Sequence, residues 1–148
     1  MAESYIELPE IPVLRAKADM KGKGPAAAFS FLESKLPSLK GRKFYGTFRV
    51  TPDGEEYYAC VARTESEDPG VMGLEGGTIA GGWYARRKLM DWEKKLSLLP
   101  ALFMELARAV EVDPSRVSIE YYRSRSELHL LVPVRAHRER CRGGIPNG

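Results

Sequence analysis

Residues 117–134 read VSIEYYRSRSELHLLVPV, and how this stretch folds decides the rest. Two β-rich runs flank Arg123-Ser-Arg-Ser126, the pattern of a hairpin whose side chains alternate in direction along each strand. A turn symmetric about Ser124-Arg125 predicts Tyr122 opposite Glu127 and Glu120 opposite His129. Ser118, Glu120, Tyr122, Glu127, His129 and Leu131 then share one face. Ile119, Tyr121, Leu128, Leu130 and Val132 form the other, which reads as core. An acid in mid-strand must be solvated, paired, or held in a cavity that uses its charge. Glu120 is therefore the first candidate site residue, and a plain solvent-exposed face is the alternative.

Outward from this hairpin, the preceding segment carries apolar residues at helical spacing (Leu96, Leu99, Phe103, Leu106, Val110). Pro100 requires either a helix that starts near Ser97, with the proline in its first turn, or a kink. Before it, residues 73–84 (GLEGGTIAGGWY) hold five glycines, too many for a long regular helix. Gly81-Gly82 predict a bulge or a close backbone approach ahead of a strand over 83–90. The glycine spacing is not that of a dinucleotide-binding turn, and the segment that follows is strand-like.

Further upstream, KFYGTFRV (43–50) and EEYYACVAR (55–63) flank Thr51-Pro-Asp-Gly54, a turn in which Pro presets φ and Gly accepts positive φ. The symmetric register pairs Phe48 with Tyr57 and Tyr45 with Cys60, and puts Tyr45, Thr47, Tyr58 and Cys60 on one face. Residues 13–20 alternate as a half-buried strand, and Pro25 opens a helix to about residue 36 with Ala28, Phe29, Leu32 and Leu36 as its apolar stripe. Lys21-Gly-Lys-Gly24 lacks the residues of a phosphate loop and reads as a linker.

The order strand, helix, strand, strand occurs twice, in units of about 11–63 and 74–134. The expected fold class is α+β: a duplicated strand-helix-strand-strand unit forming a pseudo-twofold antiparallel sheet, with helices on one face and a central cleft. Residues 1–134 are expected as a single domain, and 135–148 as a basic, disordered tail.

Composition agrees. The 148 residues are 43% apolar and 29% charged, enough for one core without staples. The net charge of +3 comes largely from the tail, so the folded body shows no basic face of the kind nucleic-acid binding would use. Cys60 and Cys141 have neither framework nor metal spacing, so no metal or cofactor site is expected. No run approaches about 18 apolar residues and no signal segment opens the chain, which predicts no membrane span and a cytoplasmic location.

The element order, with KFYG, EEYYACV, IAGGWYA, IEYY and ELHLLVPV, resembles the GyrI-like small-molecule-binding domain, also found as the effector-binding part of multidrug-sensing transcription regulators. The resemblance covers about residues 11–134 and rests on order and spacing rather than on one specific motif. It implies a ligand cleft on the pseudo-twofold axis, with aromatic walls and a buried glutamate that attracts lipophilic cations or other small hydrophobic molecules. Glu120 matches that glutamate. Tyr122, Tyr45, Tyr58, Trp83 and Tyr84 match its aromatic walls by element, although each tyrosine can equally be read as core with its hydroxyl at an edge.

Two departures accompany the match. No helix-turn-helix segment precedes the domain, so a stand-alone binder is expected rather than a complete regulator of that kind. His129 opposite Glu120 is not carried over from the family, and would partly neutralise the acid. Two other functions are implied: hydrolysis of strained, electrophilic molecules in the same cleft, or a protein-interaction role of gyrase-inhibitor or antitoxin type. The slightly basic charge counts against mimicry of nucleic acid.

Overall fold

The computed structural model of the chain describes residues 4–135. Its strands are β1 (Ser4–Leu8), β2 (Ile11–Lys17), β3 (Phe44–Thr51), β4 (Gly54–Ala62), β5 (Glu75–Ile79), β6 (Gly82–Met90), β7 (Ser118–Tyr122) and β8 (Glu127–Pro133). They form one antiparallel sheet in the order β1-β6-β8-β7-β3-β4-β2-β5. The order is symmetric about the β7–β3 contact, and an outermost strand is exchanged at each end. β1 leads into β2 along the chain but pairs with β6; β5 leads into β6 but pairs with β2.

Only Pro9 and Glu10 join β1 to β2, although five strands stand between them in the sheet. The sheet must therefore curl, and it forms a half-barrel. Gly81 lies against this link: a Cβ there would come 2.9 Å from the Glu10 nitrogen, which is the close backbone approach the Gly81-Gly82 pair predicts. β1 and β5 were not expected from the sequence. SYIEL is short, and the glycines of EGGTI hide its β character.

The concave side of the curl gathers Val13, Tyr45, Cys60, Ile79, Tyr84, Ile119 and Leu131 into one cluster. The convex side carries the helices and divides in two. α1 (Gly24–Ser34) packs Ala28 and Leu32 on β2 and β4, with Pro25 in its first turn as expected. A short α2 (Pro69–Met72) follows β4. Two 3-10 turns, Trp92–Lys94 and Leu96–Leu98, lead into α3 (Leu99–Arg108), which packs Leu99, Phe103 and Leu106 on β6 and β8. Pro100 sits in the first turn of α3, so the helix does not kink. Leu14, Leu32, Leu106 and Leu130 are fully buried, and each such side chain contributes roughly 1.5–3 kcal/mol.

The β3–β4 hairpin has the predicted register, Phe48 opposite Tyr57 and Tyr45 opposite Cys60. The β7–β8 hairpin does not. Tyr122 faces Leu128, Tyr121 faces His129 and Glu120 faces Leu130, one residue away from the symmetric expectation. A one-residue slip sends every β8 side chain to the opposite face. The turn is the cause: the Ser124 hydroxyl accepts from the N–H groups of Ser126 and Glu127 at 3.2 and 3.1 Å, and the Ser124 N–H donates to the Glu127 carbonyl at 3.1 Å. These bonds draw Glu127 into the loop. The expected tail falls outside the described residues from 136 onward, and with it His137 and Cys141.

Candidate functional site

Glu120 and Gly46 form the middle pair of the β3–β7 ladder, at the centre of the symmetric sheet. Alternation along β7 points Glu120 and Tyr122 to the convex side, between α1 and α3, and the β3–β4 register points Tyr57 there too. Glu120 is only 8% exposed. Its Oε1 accepts a hydrogen bond from the Tyr57 hydroxyl at 2.6 Å and one from the Tyr122 hydroxyl at 2.7 Å, and the two hydroxyl oxygens lie 3.5 Å apart. Glycine at position 46 makes room for this arrangement, because a Cβ there would collide with the Tyr57 hydroxyl and with Glu120 Oε1.

Aromatic rings enclose the acid. Phe29 of α1 stands edge-on to Tyr57 and to Tyr122, with centroids 6.4 and 5.3 Å apart. Trp92 packs edge-on to Tyr122 at 5.2 Å and is held by a hydrogen bond from its Nε1 to the Ser124 carbonyl at 3.0 Å. Phe48 and Phe103 make a further edge-on pair beside them, 4.8 Å apart. Edge-to-face pairs of this kind add about 0.5–1.5 kcal/mol beyond their buried area.

No cation balances the carboxylate: among the described residues Glu120 forms no ion pair. Burial raises its pKa, and the Tyr57 and Tyr122 hydrogen bonds work in the opposite direction. Burial also raises the pKa of both phenols, and the nearby carboxylate adds to the effect, so they remain neutral donors. Chemically, the site is a desolvated acid under an aromatic cover.

The structure brings Glu120 and Tyr122 together and sends most of the other expected residues elsewhere. His129 lies on the concave face, its Nε2 2.6 Å from Glu127 Oε2, so the expected Glu120–His129 pair does not form; the β8 register slip is the reason. Tyr45 stacks on Tyr121 on that same face, with centroids 5.1 Å apart. Tyr58 lies there under the Arg15 guanidinium at 3.8 Å. Tyr84 is fully buried in the concave core, and its hydroxyl donates to the Ala80 carbonyl at 2.6 Å. Trp83 shares the convex face but packs within the α3 cluster.

Tyr57, Trp92, Gly46 and the lining role of Phe29 were missed. The β3–β4 register placed Tyr57 opposite Tyr58 in direction, but whether Tyr57 or Tyr58 shared the face of Glu120 depended on the β3–β7 pairing. No turn joins those two strands, so nothing local reveals it.

Comparison with protein-family profiles and with curated sequences gives no match. Solved structures do match in fold. An integron cassette protein from the mobile metagenome of Vibrio cholerae superposes with a TM-score of 0.62 at 14% identity, over 91% of this chain and 97% of its own. SAV2435, in a structure bound to tetraphenylphosphonium, superposes with a TM-score of 0.60 at 14% identity over 100% of both chains. A hydrolase from Listeria innocua gives 0.59 and 14%, over 90% and 91%. At such identities the likeness establishes the fold, an α+β half-barrel of eight antiparallel strands with helices on one face. Among the described residues there is no cluster of three or more His, Cys, Asp or Glu side chains able to hold a metal ion, and no helix is long and apolar enough to cross a membrane.

Proposed function

We propose that residues up to 134 form a GyrI-like domain that binds amphipathic, aromatic small molecules, cations foremost, over Glu120 between α1 and α3. The observation that carries this reading is a buried carboxylate with two phenol donors on one oxygen and no cationic partner. Burying such a charge is unfavourable in the empty protein. A lipophilic cation supplies the missing charge together with apolar area, and the negative faces of aromatic rings favour it further. The tetraphenylphosphonium bound to SAV2435, a protein of similar fold, supports the same ligand class.

The test is isothermal titration of the wild-type protein and Glu120→Gln with tetraphenylphosphonium and with neutral triphenylphosphine oxide. Glu120→Gln is expected to weaken the cation by about tenfold or more and the neutral compound little, since two opposite unit charges about 6 Å apart attract by roughly 3 kcal/mol at an effective dielectric of about 20. Equal losses for the two compounds would remove the charge argument.

A second reading, hydrolysis, is favoured by one feature. Both hydrogen bonds to Glu120 fall on Oε1, and Oε2 is not among the fully buried, unpartnered polar atoms. Oε2 could take a proton from a water attacking a strained electrophile while a tyrosine hydroxyl protonates the leaving oxygen. Incubating epoxide compounds with the protein and following products by mass spectrometry tests this. Turnover abolished by Glu120→Gln supports it, and bound but unchanged compounds leave the binder.

A further inference from the structure

The concave face carries a hollow, on the other side of the sheet from Glu120. Its volume is about 370 Å³, within the range of roughly 300–1,000 Å³ usual for small-molecule sites. Ile6 and Leu8 of β1, Ile11 of β2 and Leu131 of β8 give it apolar sides. The stacked rings of Tyr45 and Tyr121 form an aromatic wall, and His129 stands edge-on to Tyr121 at 5.5 Å.

Its charge is one-sided. Lys43, Arg86 and Arg123 all line it, and among the described residues no Asp or Glu does. Lys43 and Arg123 are exposed and Arg86 is half-buried, which puts the cations at the mouth rather than in the floor. Among the described residues none of the three has an ion pair within 4.0 Å; Arg86 Nε donates to the neutral Ser4 Oγ at 3.1 Å. Glu127 attracts Arg123 but is itself engaged by the lining residue His129. Burial pushes the Tyr45 hydroxyl up to about 12, so that wall brings no negative charge.

We propose that this cavity binds a small amphipathic carboxylate, with its aryl or alkyl body against Ile6, Leu8, Leu131 and Tyr121 and its head at Lys43, Arg86 and Arg123. The carboxylate gains charge-assisted hydrogen bonds at the mouth, and its body leaves water for an apolar wall. A cation of the same shape meets three like charges. The two faces of one sheet thus select ligands of opposite sign, and this site stands whether or not the Glu120 reading does.

The test is isothermal titration and NMR of the whole chain with indole-3-acetate and octanoate, against their neutral amides. At least one acid is expected to bind saturably, with its amide about tenfold weaker or more. Shifted resonances should map to Ile6, Tyr121 and Leu131. The double substitution Arg86→Gln with Arg123→Gln is expected to lower acid affinity by about tenfold, with Glu120→Gln leaving it unchanged. Lys43→Gln, at an exposed position, gives the same reading should the double variant fail to fold. The proposal is overturned if neither acid binds the folded protein, if acid and amide bind alike, or if Glu120→Gln abolishes binding while the arginine variant keeps it.

Discussion

Glu120 is favoured as the neutral acid over the carboxylate more strongly in the folded protein than in water, and this can be measured without any ligand. Its pKa is raised chiefly by burial, so its contribution to stability is fully present below the ordinary value of 4.5 and is lost as pH rises through the folded value. Glu120→Gln removes that dependence. The variant is expected to be more stable than the wild type at pH 8 in urea unfolding, with the difference closing as pH falls towards 4.5. A variant less stable at pH 8 would show that the carboxylate and its two hydroxyl donors form a net stabilising unit. Asp113 acts in another window: hydrogen bonds from Ser115, with help from Arg116, hold its carboxyl down to about 2, so its stabilisation is present above 3.8 and fades as pH falls to that lower value. At this scale the sequence was informative about Glu120 itself, because an acid in a strand of β-branched and aromatic neighbours stands out. It said nothing of Tyr57, which looks like any other tyrosine in a hairpin.

At the scale of elements, local turns were legible and long-range pairings were not. Thr51-Pro-Asp-Gly54 specifies its own hairpin, and the register followed. Arg123-Ser-Arg-Ser126 holds no glycine or proline, and its geometry depends on the Ser124 hydroxyl accepting from two N–H groups. That misread turn moved His129 to the wrong face and created a pair with Glu120 that does not exist. The cover of the site is also a matter of elements. The two 3-10 turns between β6 and α3 contain no buried residue, yet the first of them holds Trp92 over Tyr122. Segments with few buried contacts open at low free energy. Amides of residues 92–98 are expected to exchange hydrogen well before those of β7 and β8, and tetraphenylphosphonium to slow them. Equal protection of all three segments, or no change on adding the cation, would mean that this segment is not the way in.

Across the whole molecule, the repeat of two units was readable as an order of elements, whereas the exchange of β1 and β5 between the ends of the sheet was not. Both strands are short, and each pairs with a partner far along the chain, so neither leaves a hairpin signal. Their exchange closes the curl, and the curl separates the chemistry. Among the described residues, a carboxylate without a cation lies on the convex side between the helices, and cations without a carboxylate line the hollow on the concave side. A net charge of +3 conceals both. A crystal structure of the complex with tetraphenylphosphonium decides between the two faces. The phosphorus is expected within roughly 6 Å of the Glu120 carboxylate, the range over which opposite charges pair effectively, with phenyl rings against Phe29 and Trp92. A cation seated in the concave hollow beside Lys43, Arg86 and Arg123, with Glu120 still enclosed, would contradict it.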